Sequence, residues 1–379
     1  MTPLPAWRDR PLADLLAEHR LAGLEEVDFP TDGWSGATFT VVDRGDRRFI
    51  LKRTSHAQDW IARATLDEAL REPWLAATLG RSDDGHPPVE LGDQPPHAYL
   101  GAGVDDAGQA AVLLPDLSAE LIAWDRPGVA PGVDQVTLER VLVGLARLHT
   151  SRWADALDAR AAEAGTVVPW SPWVERLTLL SRPRAVRFEA EGNRVGPIFL
   201  GGWAAFEERA PQAAVDLLHR LWADPGPLFA RLAGLPSVGL HADLKLANVA
   251  LLADDRLAFI DWQMAMRAPV AAELAWFLVA NSSELPLPPP PILGLYRAAV
   301  DATASTGDAG GPAGLTSADD VLGDWPTQVD LAMILGLTLR GWRKGLDAAA
   351  GTTLPSGVSA EDDLRWWARQ AADAAARRL

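Results

Sequence analysis

Residues 241–248 read His241-Ala242-Asp243-Leu244-Lys245-Leu246-Ala247-Asn248, and residues 259–263 read Phe259-Ile260-Asp261-Trp262-Gln263. The chain holds only seven His and three Asn, so a His, two Asp and an Asn at this spacing stand out from background. Between the two blocks lie short apolar runs, Val249 to Leu252 and Leu257 to Ile260, on either side of Asp254-Asp255. Short apolar runs around a polar turn predict a hairpin. Such a hairpin would fold the chain back and bring the side chains of Asn248 and Asp261 to one metal. Phosphoryl transfer from ATP asks little covalent chemistry of a protein. It needs a carboxylate near the acceptor hydroxyl, oxygen ligands for Mg2+ and a cation on the phosphates. Asp243 fits the first role. Asn248 and Asp261 fit the second, since Mg2+ takes a few oxygen ligands and keeps several waters. His241 would brace the loop by hydrogen bonding.

Outward from this block, the two ends of the chain differ. On the N-terminal side, Pro11 to Leu21 reads as a short helix leading into a strand. Phe39 and Val41 precede the turn Asp43-Arg44-Gly45-Asp46, and Phe49 and Leu51 follow it, which predicts a β-hairpin. Residues 60–80 have helical spacing, with Pro73 marking a start or a kink. Ala110 to Leu114 is a further apolar run, so the first 115 or so residues form a small, strand-rich unit. The remainder reads as mostly helical: 136–149, 211–233, 270–280 and 327–345, with a last helix opened by Ser359 and Asp362. Pro286 to Pro291 and the Gly/Ser/Ala-rich 302–318 read as loops. A strand-rich unit followed by a helical one predicts two lobes.

Composition narrows the function classes. The chain has 379 residues, 48% hydrophobic, which is globular composition. Acids outnumber bases 51 to 35, a net charge of −16, which argues against nucleic acid as the main partner. With no cysteine, disulfides, thiolate metal sites and cysteine nucleophiles are excluded. Neither an apolar signal segment near the N-terminus nor an apolar run of membrane-spanning length is visible, so a cytoplasmic protein without a membrane partner is expected, as monomer or homodimer. Sixteen Trp stand against two Tyr; most should serve the core. Thr31-Asp32-Gly33-Trp34-Ser35-Gly36-Ala37-Thr38 opens the hairpin, and Gly33, Ser35 and Gly36 could let backbone N–H groups approach a phosphate.

The block at 241–263 resembles the catalytic loop and metal-binding Asp of the aminoglycoside phosphotransferase and choline kinase-like superfamily, small-molecule kinases that share the protein-kinase fold. The resemblance spans approximately residues 30 to 345. The family's His-Gly-Asp is His241-Ala242-Asp243 here, and Asp-Trp-Gln replaces the protein-kinase Asp-Phe-Gly. In Pro269 to Leu278, Glu273 stands where the family usually carries Asp before Leu-Ala; it reads either as an acid favoured by the helix dipole or as a loop brace. The implied fold is α+β and two-lobed. Residues 1–115 would make an antiparallel-sheet, nucleotide-binding lobe. Residues 116–379 would make a larger, mainly helical lobe with the catalytic loop and acceptor site. The resemblance makes Lys52 the phosphate lysine and Glu72 its carboxylate partner, with Glu68 as the competitor. It makes Ala111 to Ser118 the hinge, with the Pro115 C=O and the Leu117 N–H meeting the purine. His149, at a helix end, reads as structural.

The acceptor would be a small-molecule hydroxyl: an antibiotic, amino sugar, amino alcohol or other natural product. Trp153, Trp170, Trp173, Trp203, Trp325 and Trp342 could wall its site, and Asp155, Glu175, Glu189 and Glu191 could hold a polyamine, although a solvated surface position is the preferred reading of each acid. A nucleotide-binding pseudokinase with a regulatory role is the alternative. The presence of Lys52, Glu72, Asp243, Asn248 and Asp261 together speaks against it.

Overall fold

The structure, a computed structural model, describes residues 7–29, 33–80, 95–122, 133–253, 256–305, 317–354 and 356–379. The expected turn at Asp254-Asp255, and Thr31 and Asp32 of the glycine-bearing segment, lie outside them. The chain divides into two compact units. The first joins Met1–Trp124, Ser151–Pro172 and Ala247–Met266; the second joins Asp125–Thr150, Trp173–Leu246 and Arg267–Leu379.

The first unit is built on a five-stranded antiparallel sheet of β1 (Glu26–Asp28), β2 (Thr38–Asp43), β3 (Arg48–Thr54), β4 (Gly101–Val104) and β5 (Ala110–Pro115), in the order β1-β2-β3-β5-β4. The β2–β3 hairpin closes as expected, with Gly45 at φ +91° and its N–H donating to Asp43 Oδ1 at 2.7 Å. Side chains alternate across a strand. In β3, Phe49 and Leu51 therefore bury against Leu12 and Leu15 of the helix Leu12–Glu18, together with Val42 and Leu113. Burial of side chains of this size contributes about 1.5–3 kcal/mol each. The same alternation turns Lys52 to the opposite face. There its register partners are Phe39 on β2 and Val112 on β5. The apolar runs after Asn248 form a small antiparallel pair, Val249–Leu251 with Leu257–Phe259.

The second unit is helical and centres on the 25-residue helix Trp325–Ala349. Its Leu331, Ile334, Leu335 and Leu337 are fully buried. Against it pack the helices Val195–Arg209, Val270–Ala280 and Ala360–Arg378. The packing of the first is close: a Cβ on Gly345 would lie 2.5 Å from Phe206 N and 2.6 Å from Gly202 O. Ser359 caps the last helix by accepting from Asp362 N–H at 3.0 Å, as its sequence predicts.

Four expectations change. The span 60–80 is two helices, Trp60–Ala64 and Arg71–Leu79, with Leu66 and Leu70 at positive φ between them. The span 211–233 is two helices, Gln212–Ala223 and Gly226–Ala233, because Asp224-Pro225 interrupts the backbone pattern. The span Pro286 to Pro291 is not all loop. A helix runs Pro289–Ser305, and its prolines sit in the first turn, where N–H groups have no helical partner anyway. Of 302–318, residues 302–305 end that helix, and Ala318 begins another.

Candidate functional site

In the first unit, Lys52, Glu72 and Asp261 form one cluster. Lys52 Nζ lies 2.5 Å from Glu72 Oε2 and 2.6 Å from Asp261 Oδ1. The Lys52 and Glu72 side chains are 7% and 3% exposed, while that of Asp261 is 35% exposed. The ammonium is held well above its ordinary value. Burial works against the charge, and the carboxylates of Asp261 and Glu72 outweigh it. Glu72 sits in the first turn of the helix Arg71–Leu79, which tolerates Pro73 at its third position. Glu68 precedes that helix and is exposed; its backbone carbonyl accepts from Arg8.

Asp261 has φ +64° and ψ +55°, the left-handed region that side chains other than glycine rarely occupy. Its carboxylate gives one oxygen to Lys52. Asn248, 9% exposed, is tied to the same place through its backbone, because Ile260 N–H donates to Asn248 O at 3.0 Å. The side chains of Asn248 and Asp261, carried by backbone segments joined in this way, offer an amide oxygen and a carboxylate as candidate donors. Among the described residues no group of three or more His, Cys, Asp or Glu gathers as a metal cluster. A pair of oxygen donors fits Mg2+, which commonly takes one or two protein ligands and completes its shell with phosphates and water.

Gly36, between β1 and β2, has φ +97°, and a Cβ there would lie 2.9 Å from Gln58 O, so only glycine fits. Ser35 Oγ accepts from Ala37 N–H at 3.3 Å, and Gly33 is in the same turn. At the end of β5, Asp116 N–H donates to Arg48 O at 2.9 Å across the Phe49–Pro115 pair. That makes the pair a non-hydrogen-bonded one and leaves the Pro115 carbonyl outside the ladder to β3. Leu117 N–H takes no partner among the described residues.

The second unit holds His241 and Asp243. Asp243 N–H donates to His241 Nδ1 at 3.3 Å, and Asp243 Oδ2 takes Lys245 Nζ at 3.2 Å. Ala242 has φ +62°, which explains why glycine suits this position. The loop is clamped from both sides. Ala242 N–H donates to Glu273 Oε1 and Oε2 at 3.1 and 2.9 Å, and Arg176 Nε donates to Ala242 O at 3.1 Å. Asn281 holds the next turn, accepting from Leu246 N–H at 2.8 Å and donating to Leu244 O at 3.2 Å. Of the two roles open to Glu273, the geometry shows the loop brace. Burial would raise its pKa, but the imidazoles of His149 and His241 and the Ala242 N–H outweigh burial and hold it low. His149 is buried, with Nδ1 2.7 Å from Tyr296 Oη.

A family model described as the phosphotransferase enzyme family matches residues 26–306, most of the chain. The chain belongs to this family. It is a small-molecule kinase, and its fold is α+β and protein-kinase-like, with an antiparallel-sheet unit and a mainly helical unit. Among solved structures, an aminoglycoside phosphotransferase from Alicyclobacillus acidocaldarius is similar at 16% identity and TM-score 0.40, covering 96% of this chain and 92% of that one. The choline kinase LicA from Streptococcus pneumoniae is similar at 10% identity and TM-score 0.43, covering 92% and 93%. No curated protein matches the chain.

The phosphotransferase also uses residues that no local pattern announces. Tyr99 is buried and joins two parts of the Lys52 cluster. Its Oη donates to Glu72 Oε1 at 3.0 Å and accepts from Trp262 N–H at 3.1 Å. Burial keeps its phenol well above the ordinary pKa and therefore protonated, as the donation requires. Asp59 takes Gln263 Nε2 at 2.6 Å while capping the helix Trp60–Ala64. The only hint of Tyr99 in the sequence is that it is one of two tyrosines. The expected tryptophan wall is corrected for several members. Trp153 is buried in the first unit, edge-on to Trp170 and Trp262, and Trp203 and Trp342 are buried in the second. The kinase uses them as core, because indole rings bury large apolar area. Glu189 and Glu191 are exposed, and Glu175 faces Arg184 at 4.0 Å.

Proposed function

We propose that this phosphotransferase moves the terminal phosphoryl group of ATP to a hydroxyl of a small molecule, with Asp243 as the base. The observation that carries the reading is the buried Lys52, held at once by Glu72 and Asp261. A lysine kept charged and oriented by two carboxylates is suited to the α- and β-phosphates of a nucleotide. Residues 1–115 would supply the nucleotide side. The turn at Gly33, Ser35 and Gly36 would offer backbone N–H groups to phosphate, and the Pro115 C=O and Leu117 N–H would meet the purine edge. Asn248 and Asp261 would hold Mg2+, which neutralises phosphate charge when bound.

The hydroxyl oxygen of the acceptor forms the new bond to the terminal phosphorus, and the bond from that phosphorus to the bridging oxygen of ADP breaks. Asp243 takes the hydroxyl proton. His241, Glu273, Arg176 and Asn281 hold the loop so that the carboxylate need not reorganise. The helical remainder, from 116 onward, would carry the acceptor.

The test is ADP release from Mg-ATP against a panel of hydroxylated small molecules, with Asp243→Ala as blank. Transfer should fall by about 10³-fold or more in the variant while nucleotide affinity stays within a factor of about two. Unchanged turnover in Asp243→Ala would refute the assignment of the base.

A further inference from the structure

Three cations surround the indole of Trp276 in the second unit, and two of them are employed. The Arg176 guanidinium lies 4.6 Å from the ring centroid and donates to the Ala242 carbonyl. Lys245 Nζ lies 5.7 Å from it and pairs with Asp243. The third is Arg340, on the helix Trp325–Ala349. Its guanidinium carbon is 5.6 Å from the Trp276 centroid and 5.4 Å from that of Trp342.

Among the described residues, Arg340 has no counter-charge of its own. Its Nε is buried without a hydrogen-bond partner, and among the described residues its guanidinium makes no ion pair. The acids that act on it electrostatically are Asp243, Asp347 and Glu284. Asp243 takes Lys245, and Asp347 takes Arg343 at 3.0 Å. Glu284 Oε1 accepts from Ser283 Oγ at 2.7 Å, while its Oε2 is buried without a donor. Burial, and then the neighbouring Arg343, push the Arg340 pKa down to about 10. A guanidinium flanked by two indoles, partly stripped of water and left without an anion, is costly to keep unless a ligand completes it.

We propose that Arg340 seats an anionic group of the acceptor, a carboxylate, phosphate or sulfate, on the Asp243 side of the reaction. This rests on the phosphotransferase reading and narrows it. The acceptor is a hydroxylated acid, not a polycation. A planar guanidinium binds such oxyanions with two parallel hydrogen bonds, and the indole faces hold its plane. The same unit places cations around Asp243, an unfavourable setting for a polyamine.

The probe is sodium sulfate, titrated by calorimetry at constant ionic strength, with and without a saturating non-hydrolysable Mg-ATP analogue. The wild type should bind sulfate with the analogue present. Arg340→Gln should weaken sulfate at least tenfold, with partial recovery in Arg340→Lys and no change in the exposed control Arg365→Gln, whose partner is Glu361. Analogue affinity should stay within about twofold. The proposal is overturned if the wild type binds no sulfate, or if Arg340→Gln leaves sulfate binding unchanged. It is equally overturned if that variant weakens the analogue instead, which would put Arg340 on the nucleotide's own terminal phosphate. Turnover confined to polycationic or neutral acceptors would overturn it as well. Failure of the wild type to bind the analogue would refute the kinase reading, while the sulfate arm would still report on Arg340.

Discussion

Replacing Lys52 by Met tests the buried cluster as a matter of stability, apart from any catalysis. The substitution keeps most of the side-chain volume and removes the charge. It leaves two carboxylates facing one another. Asp261 is a third exposed and can be compensated by water, whereas Glu72 is 3% exposed and cannot. Removing one partner of a buried ion pair costs about 3–5 kcal/mol, because the remaining charge is desolvated and alone. Lys52→Met should lose that much stability near neutral pH. Lys52→Met with Glu72→Gln should regain most of it, because Gln carries no charge and its Oε1 still accepts from Tyr99.

The pH dependence follows in sign. Burial pushes the Glu72 carboxyl up, with Lys52 pulling it down, so removal of Lys52 leaves the upward push unopposed. A folded-state pKa above the unfolded value of about 4.3 means that the native variant binds the extra proton. Its stability then falls as pH rises through the interval between the two values, by at most about 1.4 kcal/mol per pH unit. The loss relative to wild type should therefore be smaller at pH 5 than at pH 8. Urea unfolding followed by tryptophan fluorescence at the two pH values, for wild type, single and double variants, measures it. A single variant that loses less than about 1 kcal/mol, or equal losses at both pH values, would refute the argument that Glu72 depends on Lys52 for its charge.

Tyr99→Phe removes a donor from Glu72 and an acceptor from Trp262 N–H, both buried, and should cost about 1–3 kcal/mol in urea unfolding; a neutral result would mean that neither group needs the phenol. Ala242→Gly relieves a left-handed backbone at φ +62° and should be neutral to stabilising by up to about 1 kcal/mol, since the unfolded-state entropy of Gly offsets part of the gain; a clear drop in Tm contradicts this. Glu273→Gln should destabilise by about 1–3 kcal/mol near pH 7. Glu273 has its pKa held low in the fold, so its contribution is present above the unfolded value of about 4.3 and lost as pH falls through the folded one. The gap between wild type and variant should narrow in that acidic window, and a gap that widens there refutes the brace.

Much of the phosphotransferase was legible in local patterns. The strand pair between Asn248 and Asp261, the hairpin turn at Asp43 to Asp46, the alternation that turns Lys52 away from Phe49 and Leu51, and the Ser359 cap all depend on near neighbours in the chain. Such features follow from strand pleat, turn chemistry and capping, which operate over a few residues. Contacts between distant segments needed the fold. Whether Lys52 meets Glu72 or Glu68 depends on where the helix Arg71–Leu79 starts, and its packing decides that. Tyr99 reaches Trp262 across 163 positions, and Glu273 reaches Ala242 across 31. Trp153, Trp203 and Trp342, expected to wall a site, are core, and Arg340, unmarked in the sequence, stands beside Trp276 without a counter-ion among the described residues. A linear pattern specifies which face a side chain takes. Which charges and dipoles that face meets, and therefore whether a buried group is satisfied, is decided only when distant segments pack together.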